Sequence, residues 1–372
     1  MKALILSTAT GGGHNTAAHA VMEALTERGV ECRFEDCVAF GGQKLSATVS
    51  NVYVKFVQAA PDAFGRLYRF AKAISTPRIK SPVYLFNAAY ARKMEQLLTD
   101  YAPDLIVCTH MFGGQSVTYL RRHDLWNGLF AMVMTDYTIH PFIEDIECDV
   151  MFTCKAAMPS ARRLALPKSA YEFTGIPVSL SCRPCTDKRA AKEAVGLDPE
   201  RPEVVLVGGS MGAGKLVLAI KLLYDRYKND KKIGLVVICG SNKWLYNRLA
   251  GRYPDKITAV RFTDKMASYM RMAEVFITKP GGLSATEGAV LGVPMVHIMS
   301  IPGCETLNMR FFAQHGMSVP VKRIGMGLPN AADRLLNKAE AEKITANQRK
   351  YINPNAAADI CRLAEKLING GV

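Results

Sequence analysis

Three glycine-rich turns carry most of the chemistry legible in this chain: TGGGH at 10–14, GGSMGAGK at 208–215 and KPGGLSATEG at 279–288. The last two follow short apolar runs, VVLVG at 204–208 and VFIT at 275–278, so each reads as a turn that ends a strand and opens a helix. Such turns aim backbone N–H groups and the positive end of a helix at an anion, usually a phosphate. In the third, Lys279 and Pro280 lead into Gly281 and Gly282, Ser284 can cap the helix, and Glu287 falls within its first two turns. A carboxylate placed there can hold a ribose diol while the N–H groups hold a diphosphate. An ordinary capped helix would look the same if this motif stood alone. The second turn, with Gly209, Ser210, Met211 and Gly212, has P-loop spacing, but Leu216 stands where the magnesium-holding Ser or Thr belongs. The next apolar run, GLVVICGSN, ends without a carboxylate. A glycine turn with another phosphate role is therefore favoured over an ATP- or GTPase, with simple tight-turn structure as the third reading.

In the first turn Gly12 and Gly13 precede His14 at a helix start. The positive helix end disfavours imidazolium, so a neutral imidazole able to accept a proton fits this position; a structural capping histidine is the plainer alternative. TDYTIHP at 135–141 follows the apolar run LFAMVMT and offers Asp136 and His140 at a strand's carboxyl end. No third ligand clusters with that pair along the chain, which argues against a metal centre. His19, His110, His123, His297 and His315 show no partner pattern. Ten dispersed cysteines without a secretory signal read as free thiols, and the CxxC of Cys182 and Cys185 has no matching second pair.

Apolar runs of strand length alternate with helical patterns throughout: KALILS (2–7), ECRFEDC (31–37), DLIVCT (104–109), LFAMVMT (129–135), VVLVG (204–208), GLVVIC (234–239), VFIT (275–278) and PMVHI (294–298). That alternation predicts α/β architecture with doubly wound parallel sheets, whose ligands bind at the carboxyl ends of the strands. At 372 residues two domains are the default. The irregular, proline-bearing stretch 175–197 marks the boundary, and NPNAAADICRLAEKLIN (353–369) reads as a closing helix capped by Asn355. No apolar run approaches the roughly 18–20 residues that span a bilayer. The apolar stretch at the N-terminus is too short for a signal peptide and flows into the glycine loop, as in a cytosolic protein.

The net charge of +14 needs a partner. Between residues 44 and 93 nine basic residues face one acidic residue, Asp62, an excess of eight. Arg66, Arg69 and Lys72 lie among them, interleaved with aromatics that include Tyr68 and Phe70. This composition fits an anionic membrane surface, where each nearby cation contributes roughly 1 kcal/mol. Nucleic acid attracts the same charge and is the rival; a solvated basic face is the plain alternative.

Taken in order, GGGH, the basic aromatic segment, TD…HP, GGSMGAGK, TKPGG…TEG and IPG-E--N resemble the glycolipid-forming glycosyltransferases, that is, the monogalactosyldiacylglycerol synthases and the processive diacylglycerol glucosyltransferases. The UDP-GlcNAc transferase that makes lipid II is a more distant relative. The resemblance covers essentially the whole chain. It implies a GT-B fold, two Rossmann-like domains with parallel sheets facing a central cleft. An acceptor and membrane-binding domain would span 1–178, a UDP-sugar-binding domain 179–352, and a closing helix at 353–372 would pack back on the first domain. It further implies His14 as general base, the glycine turns as diphosphate holders, Glu287 on the ribose, and the 302–308 loop, with Glu305 and Asn308, on the donor sugar. The family loop commonly reads PGQEEGN; here it is PGCETLN, so Pro302, Gly303, Glu305 and Asn308 agree while Cys304, Thr306 and Leu307 depart, which leaves the donor sugar open.

The expectation is an inverting, metal-independent hexosyltransferase that moves sugar from a UDP-sugar to diacylglycerol or a glycosyl-diacylglycerol. It would sit peripherally on the cytoplasmic face of the membrane, with no nucleic-acid partner and no cofactor. His14 takes the acceptor proton, with Asp136 as the alternative base and His140 at the acceptor. The runners-up are a lipid II-type polyprenyl-linked sugar transferase, a P-loop nucleotidase, and a non-catalytic lipid- or nucleic-acid-binding relative.

Overall fold

A computed structural model describes residues 1–8, 12–76, 80–162, 164–184, 187–208, 213–253, 255–298 and 300–370. Gly209, Ser210, Met211 and Gly212 lie outside the described residues, as do Arg78 and Cys185. The chain divides into two compact units. One comprises Met1–Leu180, Ile301–Cys304 and Asn355–Val372; the other comprises Ser181–Ser300 and Glu305–Pro354.

The first unit is built on six parallel strands: β1 (Lys2–Ser7), β2 (Glu31–Asp36), β3 (Leu105–Cys108), β4 (Leu129–Val133), β5 (Val150–Phe152) and β6 (Tyr171–Glu172), in the order β2-β1-β3-β4-β5-β6. Successive residues of a strand face opposite sides, and both sides are buried in β1, β3, β4 and β5, which is why these runs are apolar without alternation, while β2 at the sheet edge is polar and partly exposed. Leu4, Leu6, Ile106, Phe130 and Met132 pack on one side with Met94, Val117 and Leu120. Ala3, Ile5, Val107, Ala131 and Val133 pack on the other, beneath Val21 and Leu25 of the first helix, Gly12–Glu27, and Ile360 and Cys361 of the last, Ala356–Ile368. Asn355 occupies the N-cap position of that last helix, but its side chain makes no capping hydrogen bond. The helix is held instead by its apolar face and by Arg28, whose Nε donates to Glu365 Oε1 at 2.6 Å.

The second unit repeats the plan with β7 (Glu203–Val207), β8 (Gly234–Gly240), β9 (Ile257–Arg261), β10 (Val275–Thr278), β11 (Met295–Ile298) and β12 (Val319–Val321), in the order β12-β11-β10-β7-β8-β9. Strands β5, β6, β9 and β12 have no counterpart among the runs read from the sequence. β5, β6 and β12 are two or three residues long, and β9 and β12 lie at sheet edges, where Pro320 is tolerated.

Strand order reverses once in each sheet, between β1 and β3 in the first and between β7 and β10 in the second. Loops leaving the carboxyl ends of strands that flank such a reversal run to opposite faces and open a crevice for a ligand. In the first unit Thr109 follows β3 and His14 stands in the first turn of the helix after β1; in the second, Lys279–Gly281 follow β10.

Candidate active site

In the first unit, β1 leads into the helix Gly12–Glu27, and β3 continues through Thr109 and His110 into the helix Met111–Arg122. His14 is the third residue of its helix. Its Nδ1 lies 2.9 Å from the carbonyl oxygen of Thr109 and 3.0 Å from Oγ1 of Thr135. A carbonyl oxygen only accepts, so Nδ1 carries the proton and Nε2 keeps the lone pair. Thr109 also donates its hydroxyl to the His14 carbonyl at 3.0 Å, which locks the pair from both ends. Burial, foremost, holds the His14 pKa below 6.5, while the charge of Asp136 pulls it back up. The sequence predicts a neutral imidazole from the helix end; here burial is the first cause of the lowered pKa.

His110, which sequence reasoning left without a role, stands against His14, ring centroids 4.6 Å apart at 87°. It caps the helix Met111–Arg122 by accepting from the Phe112 N–H at 3.2 Å, and burial pushes its pKa well below the usual range. Its signal was position, directly after a buried strand that flanks the reversal, and not any motif.

Past β4 the chain turns through Asp136 and His140, with His140 Nε2 2.9 Å from Asp136 Oδ2. Cys304 joins them: one donor atom from each of Asp136, His140 and Cys304 lies within 4.8 Å of the others. The 302–308 loop thus brings a third donor-type side chain, absent from 135–141, next to the pair. That loop is divided between the units, Ile301–Cys304 with the first and Glu305 onward with the second. Pro302 rests on Gly65 so closely that a Cβ there would meet it at 2.6 Å. Gly303, at φ +119°, lies over the ring of Tyr68.

His14, Thr109, His110, Thr135, His140 and Cys304 supply polar groups to the lining of a cavity of about 510 Å³ in this unit. Its remaining wall is almost wholly apolar and includes Phe64, Leu67, Phe70 and Ile74 of the helix Pro61–Ile74. Tyr68 lies on the same side of that helix, its ring 6.3 Å from that of His140. Arg66, Arg69 and Lys72 are exposed along it. The neighbouring helices Gln43–Ala59 and Pro82–Ala91 add to the exposed apolar surface. Of the sixteen large apolar side chains exposed among the described residues, eight fall between Val52 and Phe86, with Phe70 at 62% and Leu85 at 61%. Exposed apolar patches of that kind mark a binding surface.

In the second unit, β10 delivers Lys279, Pro280 and Gly281 to the helix Gly282–Val290. Gly281 is the N-cap and no side chain caps the helix; Ser284 lies inside it, so the capping role expected for Ser284 is not observed. The first N–H groups of the helix are therefore not satisfied by a side-chain cap. Lys279 Nζ is 2.7 Å from Oε1 of buried Glu305, and the amide of fully buried Asn308 donates to the Pro280 carbonyl at 3.2 Å. Glu305 and Asn308 thus brace the turn. Burial raises the Glu287 carboxyl to about 7. The turn after β7 begins at Gly208, where a Cβ would strike Leu216 at 2.5 Å. Leu216 is itself a core residue, 2% exposed among Val204, Ile220 and Val237. The magnesium-binding hydroxyl of a P-loop has no place in that apolar packing. Of the remaining turn residues, Gly12 and Gly13 open the first helix, and a Cβ at Gly12 would meet nothing within 4 Å.

The family described as monogalactosyldiacylglycerol (MGDG) synthase matches residues 14–178, and the glycosyltransferase family 28 C-terminal domain matches residues 203–360. A probable monogalactosyldiacylglycerol synthase 3, chloroplastic, of Oryza sativa is 31% identical over 85% of this chain; the chain spans 64% of that protein's length. A processive diacylglycerol beta-glucosyltransferase of Bacillus licheniformis is 24% identical over 98% of this chain and 96% of its own. Among solved structures, MurG of Acinetobacter baumannii superposes with a TM-score of 0.61 at 15% identity, over 98% of this chain and 99% of its own. With its two Rossmann-like units matched in order by these two families, the chain is a GT-B glycosyltransferase similar to the monogalactosyldiacylglycerol synthases and the processive diacylglycerol glucosyltransferases.

Proposed function

We propose that this glycosyltransferase moves a hexose, with inversion, from a UDP-sugar to the free hydroxyl of diacylglycerol or of a glycosyl-diacylglycerol. The observation that carries the reading is the apolar cavity with His14 in its wall, its Nδ1 committed to Thr109 and its Nε2 left as acceptor. An acyl chain suits the apolar wall, and a glycerol hydroxyl suits the polar groups. His14 Nε2 takes the hydroxyl proton as that oxygen attacks the anomeric carbon. The bond from that carbon to the diphosphate breaks, and UDP leaves with the electron pair.

The second unit supplies the donor site. The uncapped N-terminus of the helix Gly282–Val290 and Lys279 are suited to the diphosphate, and Glu287 to the ribose. The sheet reversal between β7 and β10, next to both turns, supports this assignment. With N–H groups and a helix dipole holding the diphosphate, transfer proceeds without Mg²⁺.

Among the described residues no helix is long and apolar enough to cross a membrane. A diacylglycerol acceptor keeps its chains in the bilayer, so the enzyme comes to the lipid. The exposed apolar side chains between Val52 and Phe86, rimmed by Arg66, Arg69 and Lys72, are the docking surface for an anionic leaflet on the cytoplasmic side. A panel of UDP-sugars presented with diacylglycerol vesicles, with lipid products analysed in the presence of EDTA, tests the reading. A glycosyl-diacylglycerol product is expected. Transfer only to a polyprenyl-linked sugar, or none with any donor, would overturn it.

A further inference from the structure

Three donor atoms of different kinds meet beside the proposed base. Asp136 offers a carboxylate oxygen, His140 a ring nitrogen and Cys304 a sulfur, all within 4.8 Å of one another. Asp136 is 9% exposed, while His140 and Cys304 line the cavity. We infer that these three side chains form a site for a borderline-soft divalent cation, Zn²⁺, whose binding shuts off sugar transfer. The effect on transfer rests on the acceptor-site reading above; the binding itself rests only on the three donors.

The donor set selects the metal. A thiolate with an imidazole favours zinc over magnesium or calcium, which take oxygen ligands. Zinc bonds of about 2.0–2.3 Å put tetrahedral donors roughly 3.3–3.6 Å apart. The observed separations are of that order, with Asp136 and His140 at 2.9 Å and all three donor atoms within 4.8 Å of one another. Seating the ion parts the Asp136–His140 pair by a few tenths of an ångström and draws the sulfur in. The thiol proton leaves as the sulfur binds, and carboxylate plus thiolate then balance the two positive charges. Three protein ligands leave a fourth position for a water or hydroxyl oxygen.

Occupation would oppose catalysis in two ways. The Asp136 carboxylate that favours a proton on His14 becomes part of a metal centre, and the space beside the polar groups of the acceptor cavity fills.

The test is titration of the whole protein with Co²⁺ in the absence of donor and lipid, following the thiolate-to-cobalt charge-transfer band, then displacement by Zn²⁺. Cys304→Ala and His140→Ala are titrated alongside, with circular dichroism to confirm folding, and Cys32→Ala and Cys154→Ala control for the two other partly exposed thiols among the described residues. The parent should show the band and lose it to Zn²⁺. Cys304→Ala should lack the band, and both Cys304→Ala and His140→Ala should bind at least about tenfold more weakly. Zn²⁺ should also inhibit transfer by the parent at concentrations at least about tenfold lower than it inhibits Cys304→Ala. A parent without the band, variants that bind like the parent, or a band lost only in Cys32→Ala or Cys154→Ala would overturn the site. Metal binding without any lipid transfer leaves the site standing and removes the proposed reaction; transfer without metal binding does the reverse.

Discussion

The carbonyl oxygen of Thr109 lies 2.9 Å from Nδ1 of His14, joining the residue after β3 to the helix after β1 across 95 positions of sequence. That single contact decides the tautomer, and with it which ring nitrogen can accept a proton. Removing the base should therefore cost rate and not donor binding. His14→Ala should lower turnover about 10²–10⁴-fold with UDP affinity nearly unchanged by calorimetry. If Asp136→Ala is crippling and His14→Ala mild, the base is Asp136.

The pH profile follows from the same contact. Burial keeps His14 neutral to lower pH than an ordinary histidine, so the acid limb of kcat/KM should have its midpoint below 6.5. Asp136 raises the His14 pKa, so Asp136→Asn should move that midpoint to still lower pH. A limb at or above 6.5 in the parent, or an upward shift in the variant, assigns the titration to another group.

Glu287 makes a paired prediction for binding and stability. Glu287→Ala should weaken UDP by roughly 1.5–3 kcal/mol, the worth of a charged hydrogen bond. Its folded pKa is raised from 4.5 to about 7, so the folded chain holds a proton that the unfolded chain releases in that window. Stability therefore falls as pH rises from 4.5 through 7. Glu287→Gln removes this loss. It should stabilise the protein at pH 8 by about 1–2 kcal/mol after allowing for solvent access, with little gain at pH 4. Equal gains at both pH values in urea melts would remove burial of the charge as the cause.

Leu216 separates the donor site from a P-loop. Leu216→Thr restores the hydroxyl that a P-loop uses, but puts it in an apolar core. It should destabilise by about 2–4 kcal/mol and yield no ATP or GTP hydrolysis. Hydrolysis that appears with this substitution would revive the nucleotidase reading.

Replacing Arg66, Arg69 and Lys72 together with Ser should weaken binding to anionic vesicles by up to about 3 kcal/mol at low salt, and UDP binding should be spared. The loss should shrink as salt rises, since the screening length is about 10 Å at 0.1 M. Equal sedimentation with neutral and anionic vesicles would rule these residues out as the anchor, and tight duplex DNA binding through them would favour the nucleic-acid alternative.

What the sequence determined by itself is local. Strands buried on both faces must be apolar along their whole length, so β1, β3, β4, β7, β8, β10 and β11 announce themselves. A turn that opens a helix at a strand end favours glycine, so the turn from β10 into the helix Gly282–Val290 does too. Short strands such as β5, β6 and β12 do not, because two or three residues carry no period and their hydrogen bonds come from a neighbouring strand. The Ser284 cap was misplaced because helix ends are set by backbone geometry that composition leaves free by a residue or two. Only the tertiary structure decided which strands flank each reversal, and so which loops share a crevice. The contact of His14 with Thr109, the ring of His110 beside it and the arrival of Cys304 next to Asp136 and His140 all depend on that order. Strand order is chosen by the packing of whole layers, an energy summed over the sheet, and no short stretch of residues records it.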